Sequence, residues 1–124
     1  GGAATNNIIS HATGATGMGI GFKEASGTLI ENNEIIYCGI GIGSDLSPFQ
    51  PDSTIEIRNN RLAFNGIAIQ FNSETGGNNL RDNLFEGNLT QVSYGGRSDN
   101  PLNWQVTNCF FGGVAIRPSA CASA

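Results

Sequence analysis

An asparagine that returns at Asn7, Asn33, Asn60, Asn83 and Asn108, an apolar residue two places after each, and short runs of alternating apolar side chains bounded by Gly and Asn predict an all-β chain. Its expected architecture is a right-handed, single-stranded parallel β-helix, a solenoid of about five coils. The anchors are 23 to 27 residues apart, enough for two or three short strands and the bends between them. Period-two alternation marks strands with one buried face. Stacked coils lie about 4.8 Å apart, so equivalent residues form columns. Asn suits such a column because its amide can donate to one neighbour and accept from the other.

The first coil holds Asn7 and Ile9, with Met18 and Ile20 resuming the pattern after an insertion at residues 10 to 17. Ile30, Asn33, Ile35, Ile40 and Ile42 carry the second coil, and Ile57, Asn60, Leu62, Ile67 and Ile69 the third. Leu80, Asn83, Phe85 and Val92 repeat it a fourth time. Asn108 and Phe110 open a fifth, with Val114 and Ile116 displaced by one position. Gly, Asn and Ser stand at the run ends, where tight bends need residues that tolerate the left-handed region. An antiparallel sandwich would account for the strand lengths but not for the fixed spacing of Asn and apolar residue.

Residues 1–124 read as one domain and as a section of a longer solenoid, with residues 117–124 a flexible tail. Six Lys and Arg stand against ten Asp and Glu, a net charge of −4, which disfavours a nucleic-acid backbone as partner. No apolar run is long enough to span a bilayer. The sequence is read as periplasmic or extracellular, its signal absent from this stretch. A short stack with open ends is expected to associate end to end, near Phe110 and Phe111.

Column reading also places charges. Glu31 with Arg58, and Glu34 with Arg61, are expected as ion pairs between coils on an outward face. Cys38 falls in an inward column with Asn65 and Asn88 and is expected free, too far from Cys109 for a disulfide; Cys121 sits in the tail. His11 shares a column with Tyr37 and Phe64, as a ring stacked on rings. With Met18 across the inserted "HATGATGM", His11 also offers imidazole and thioether, a soft pair that suits copper.

Three long connections, residues 43–54, 72–78 and 95–103, leave from the same place in successive coils. They bring Asp45, Asp52, Glu74, Arg97 and Asp99 to one edge, with Phe49 and Trp104 as aromatic platforms. Rings beside carboxylates suit a sugar, and clustered carboxylates suit calcium. Asp45 or Asp52 with Glu74 would be the carboxylate pair of a glycoside hydrolase, and Arg97 the cation of a lyase. No nucleophile, zinc or phosphate-loop motif is present, so no catalytic residue is assigned.

The Asn-anchored coils resemble the carbohydrate-binding and sugar-hydrolase (CASH) β-helices of pectate-lyase-like fold. Within them "GNNLRDNLFEGNLTQVSYGG" (77–96), preceded by "NRLAFNGIAIQFN", is similar to the NosD family. The likeness lies in Asn83, Phe85, Gly87, Asn88, Gln91, Val92 and Tyr94, with Trp104 downstream. A Gly-Asn-Tyr-Trp segment near the end of that family is replaced here by "NCFFGGVAIRP". The resemblance implies an exported, non-catalytic binding or scaffold module engaged in copper-site maturation, with a metalloprotein partner. The competing expectation is a β-helix that binds or degrades polysaccharide.

Overall fold

The computed structural model describes residues 2–14, 16–22, 27–44, 55–71, 78–94, 104–107 and 110–112. The first coil comprises β1 (Ala3–Thr5), β2 (Ile8–Ser10) and β3 (Met18–Phe22), and the second β4 (Leu29–Glu31), β5 (Glu34–Ile36) and β6 (Ile40–Ser44). The third has β7 (Glu56–Arg58), β8 (Arg61–Ala63) and β9 (Ile67–Phe71), and the fourth β10 (Asn78–Arg81), β11 (Leu84–Glu86) and β12 (Thr90–Tyr94). β13 (Trp104–Thr107) and β14 (Phe110–Gly112) begin a fifth.

Every pairing joins equivalent strands of successive coils, in parallel. The first sheet runs β1-β4-β7-β10-β13, the second β2-β5-β8-β11-β14 and the third β3-β6-β9-β12. This is a parallel β-helix. Met18 lies level with Ile40 and Ile40 with Ile67, so the insertion after Ser10 is absorbed before the third sheet.

The core is the inward columns. Ile30, Ile57 and Leu80 come from the first sheet, Ile35, Leu62 and Phe85 from the second, and Ile42, Ile69 and Val92 from the third. Cys38 joins them as a buried, free thiol. Strands this short bury few side chains each, three in β6 and a single one in β4, β5 and β7, so cohesion comes from stacking many equivalent layers rather than from any one strand.

Two bends per coil repeat the same backbone device. At the first, Asn6, Asn32, Asn59 and Asp82 take positive φ, between 55° and 59°. At the second, His11, Tyr37, Phe64 and Gly87 do so, between 55° and 67°. Asn and Asp tolerate that region and Gly is free in it. Gly87 has a second reason: a Cβ there would stand 2.6 Å from the Phe64 ring, which lies over it.

One assignment is corrected. Phe110 lies level with Leu84, and it is Phe111 that stands level with Phe85. Val106 is level with Leu80. The fifth repeat therefore runs one residue later than Asn108 would set it, and the apolar position three before the anchor, missing from a register set on Asn108, is Val106. Asn108, Cys109, Cys121 and residues 117–124 lie outside the described residues.

Leu62 is fully buried while Arg61 is partly exposed. Leu62→Ala is expected to destabilise by about 2 to 5 kcal/mol. Arg61→Ala should cost under about 1 kcal/mol, its partners being surface carboxylates. Paired urea titrations measure the difference directly.

Candidate functional site

Five features stand out on the solenoid: two lines of buried amides at the bends, an ion-pair network, an aromatic stack and the edge where long connections attach.

At the first bend the buried amides of Asn33 and Asn60 are fully used. The Asn33 Nδ2 donates to Asn60 Oδ1 at 3.0 Å and to the Ala4 carbonyl at 2.9 Å. Asn60 repeats this toward Asn83 Oδ1 and the Ile30 carbonyl, both at 3.0 Å. Each Oδ1 also accepts the backbone N–H of the Asn one coil before: Asn7 to Asn33, Asn33 to Asn60, Asn60 to Asn83. Asn7, Asn33, Asn60 and Asn83 thus form the expected ladder, with the last three buried.

A second ladder runs at the other bend. Asn65 donates to Asn88 Oδ1 at 3.0 Å and to the Ile35 carbonyl at 3.1 Å. Cys38 contributes only its backbone N–H, to Asn65 Oδ1. Asn88 donates to the Leu62 carbonyl and to Gln91 Oε1, both at 2.9 Å, so a glutamine from its own coil ends the line. The sequence signal for this ladder was the shared column of Cys38, Asn65 and Asn88; the hydrogen bonding in it follows only once the coils are in register.

Outward, Glu31 pairs with Arg58 and Glu34 with Arg61, as column reading expects. Three carboxylates that the reading missed join the network: Glu56, Glu86 and Asp82, the last 3.6 Å from Arg81. Glu56 takes Arg81 at 2.6 Å and Arg58 at 3.7 Å, and Glu86 takes Arg61 at 3.8 Å. Glu56 stands two places before Arg58 on the same outward face, which was the signal available. The hydrogen bond from Arg81 holds the Glu56 carboxyl below its ordinary value of 4.5, against the opposing effect of burial, with Asn79 and both arginine charges adding to it. Arg81 is raised correspondingly, chiefly by Glu56.

His11 is exposed and lies against Tyr37, tilted by 34°, at 5.3 Å between ring centroids, and Tyr37 stacks on Phe64 at 5.5 Å. Tyr37 and Phe64 remain 49% and 45% exposed. Met18 opens β3, and its sulfur would stand 3.0 Å from a Cβ at Gly43 and 3.4 Å from one at Gly21. The two soft donors thus share the first coil, His11 on the bend and Met18 on the third sheet. Among the described residues, no three His, Cys, Asp or Glu side chains gather around a common metal position.

The connections after β6, β9 and β12 leave strands that are paired with one another and return to the paired strands β7, β10 and β13. Their attachment points therefore share one edge. Asp45, Phe49, Asp52, Glu74, Arg97 and Asp99 themselves lie outside the described residues. Trp104 is the first residue of β13, level with Asn78.

With this geometry in place, a family model described as periplasmic copper-binding protein (NosD) matches residues 2–116. The chain belongs to the NosD family. The match spans every coil, so the NosD assignment and the β-helix describe the same residues. No curated protein and no solved structure was found to match. Among the described residues no helix is long and apolar enough to cross a membrane.

The Glu56 network carries a pH dependence. A carboxyl held below 4.5 in the folded chain adds stability that is complete above 4.5 and is lost as pH falls through the lowered value. Glu56→Gln should therefore be less stable than the parent at about pH 7 and converge with it at about pH 3. Thermal unfolding at the two pH values reads this; a gap that widens in acid would contradict the assignment.

Proposed function

We propose that this chain is a periplasmic NosD-type scaffold that acts by binding rather than by catalysis, and that its cargo is cuprous copper destined for a metalloprotein partner. The observation that carries the reading is the family match over residues 2–116. The chemistry of the first coil supports it. Imidazole and thioether are soft donors that favour cuprous ion over the hard cations suited to carboxylates. His11 is held by stacking on Tyr37 and is open to solvent, which leaves its ring edge available to a metal. Met18 is half-buried and flanks the same inserted segment.

In this reading the rigid stack fixes the first coil and the loop between His11 and Met18 adjusts around the ion. Handing cargo to a partner requires moderate affinity and access, and an exposed imidazole with a half-buried thioether suits both needs. The partner class is a copper-accepting metalloprotein.

Competition titration against a chromophoric cuprous chelator tests the proposal. His11→Asn keeps a residue that tolerates positive φ while removing the imidazole, and Met18→Leu keeps volume while removing sulfur. Each is expected to weaken cuprous binding by roughly tenfold or more, about 1.4 kcal/mol. Unchanged affinity in both variants would reject the site, and absence of any cuprous binding by the parent would reject the function.

A further inference from the structure

His11, Tyr37, Phe64 and Gly87 occupy equivalent places at the second bend of four successive coils, each at positive φ. Their backbones are tied from coil to coil. The His11 N–H donates to the Ile36 carbonyl at 3.2 Å, that of Tyr37 to the Ala63 carbonyl at 3.3 Å, and that of Phe64 to the Glu86 carbonyl at 2.9 Å. With the main chain held in this way, only side-chain torsions are left to settle. Gly87 ends the line three coils from His11, roughly 14 Å away at about 4.8 Å per coil.

The bend itself does not call for rings. A bulky residue at positive φ is strained, and the first bend meets the same backbone requirement with Asn and Asp. Burial does not call for them either. Tyr37 and Phe64 remain about half exposed, so each gains only part of what a core aromatic gains. What the rings have is one another. Phe64 and Tyr37 lie nearly parallel, 16° apart, and Tyr37 covers one face of the His11 imidazole.

The far end of the line shows what seats it. A Cβ on Gly87 would stand 2.6 Å from both Cδ1 and Cε1 of Phe64, so the ring takes the space that a side chain would fill. Phe64 thus lies between Gly87 and Tyr37, and Tyr37 between Phe64 and His11. Among the described residues His11 has a ring on one face only, and its orientation is the last in the series to be set.

We propose that Gly87 and Phe64 are positioning residues for the His11 imidazole, acting through Tyr37. They hold the ring in one orientation before cargo arrives, so less side-chain freedom is lost on binding. The part concerning cargo rests on the copper reading. The part concerning orientation is a property of the chain alone.

The test uses the full chain and two readouts. Ring-current shifts of the carbon-bound His11 protons report the orientation without metal, and competition against a chromophoric cuprous chelator reports affinity. Gly87→Ala should displace Phe64, move the His11 signals toward those of a free imidazole, and weaken cuprous binding by roughly threefold to tenfold. Phe64→Asn removes the ring while tolerating positive φ, and should do the same. Phe64→Tyr keeps a ring and should behave as the parent does. In the Phe64→Asn background Gly87→Ala should add nothing, because the ring it displaces is gone. Leu89→Ser, at an exposed position beside the same bend, should match the parent. His11 signals unmoved by Gly87→Ala and by Phe64→Asn overturn the proposal. So does an equal effect of Gly87→Ala with and without the Phe64 ring, or moved signals with unchanged cuprous affinity. Where Gly87→Ala folds poorly, Phe64→Asn against Phe64→Tyr decides, since both keep Gly87. A parent that binds no cuprous ion rejects the copper reading, and the His11 signals then decide the positioning claim by themselves.

Discussion

The buried asparagine amide is the interaction on which this structure depends. An amide taken out of water without partners is costly, on the order of a few kcal/mol, and the first coil-to-coil column removes that penalty by giving the buried Asn33 and Asn60 amides partners through both nitrogen and oxygen. Asn60 shows the full arrangement: two side-chain donations, and an oxygen that accepts both the backbone and the side chain of Asn33. Such a group is satisfied in one register only. A slip of one residue would leave it unpaired and would turn Leu62 outward with it. Asn is thus less an adhesive than a register pin, with the apolar columns supplying the cohesion.

Once register is fixed, the outer surface follows. Residues far apart in sequence become neighbours one coil apart, which is how Glu31 meets Arg58, Glu56 meets Arg81, and His11 stacks on Tyr37. Three bulky residues at positive φ would be strained in isolation. Here the neighbouring coils hold His11, Tyr37 and Phe64 in place, and ring contact offsets part of the strain. Cargo and ligand surfaces on a solenoid are in this sense products of stacking, not of any single coil.

Much of this was legible in the sequence, because a repeat exposes its own columns. Asn33, Asn60 and Asn83, the inward Ile35, Leu62 and Phe85, and two of the ion pairs could be read from spacing alone. The second ladder was harder, because Cys38 heads it without an amide and Gln91 ends it from within the coil of Asn88. Glu56 and Glu86 escaped because a diagonal contact across coils depends on side-chain reach rather than on column position. The fifth coil was set one residue early because Asn108 resembled an anchor, whereas strand pairing follows Val106 and Phe111. The division of each Asn pair was illegible for another reason. Asn6, Asn32 and Asn59 look like half of a repeated pair, and only the backbone shows that each pair divides into an exposed bend residue and a buried ladder residue.

The most direct test of the ladder is Asn60→Asp, measured by urea unfolding at about pH 7. The substitution preserves shape but replaces the donating nitrogen with an oxygen facing Asn83 Oδ1 and the Ile30 carbonyl. It should destabilise the chain by about 3 kcal/mol or more, and part of that loss should be recovered in acid as the buried carboxyl takes up a proton. A variant within about 0.5 kcal/mol of the parent at neutral pH would show that the amide column does not hold the coils in register.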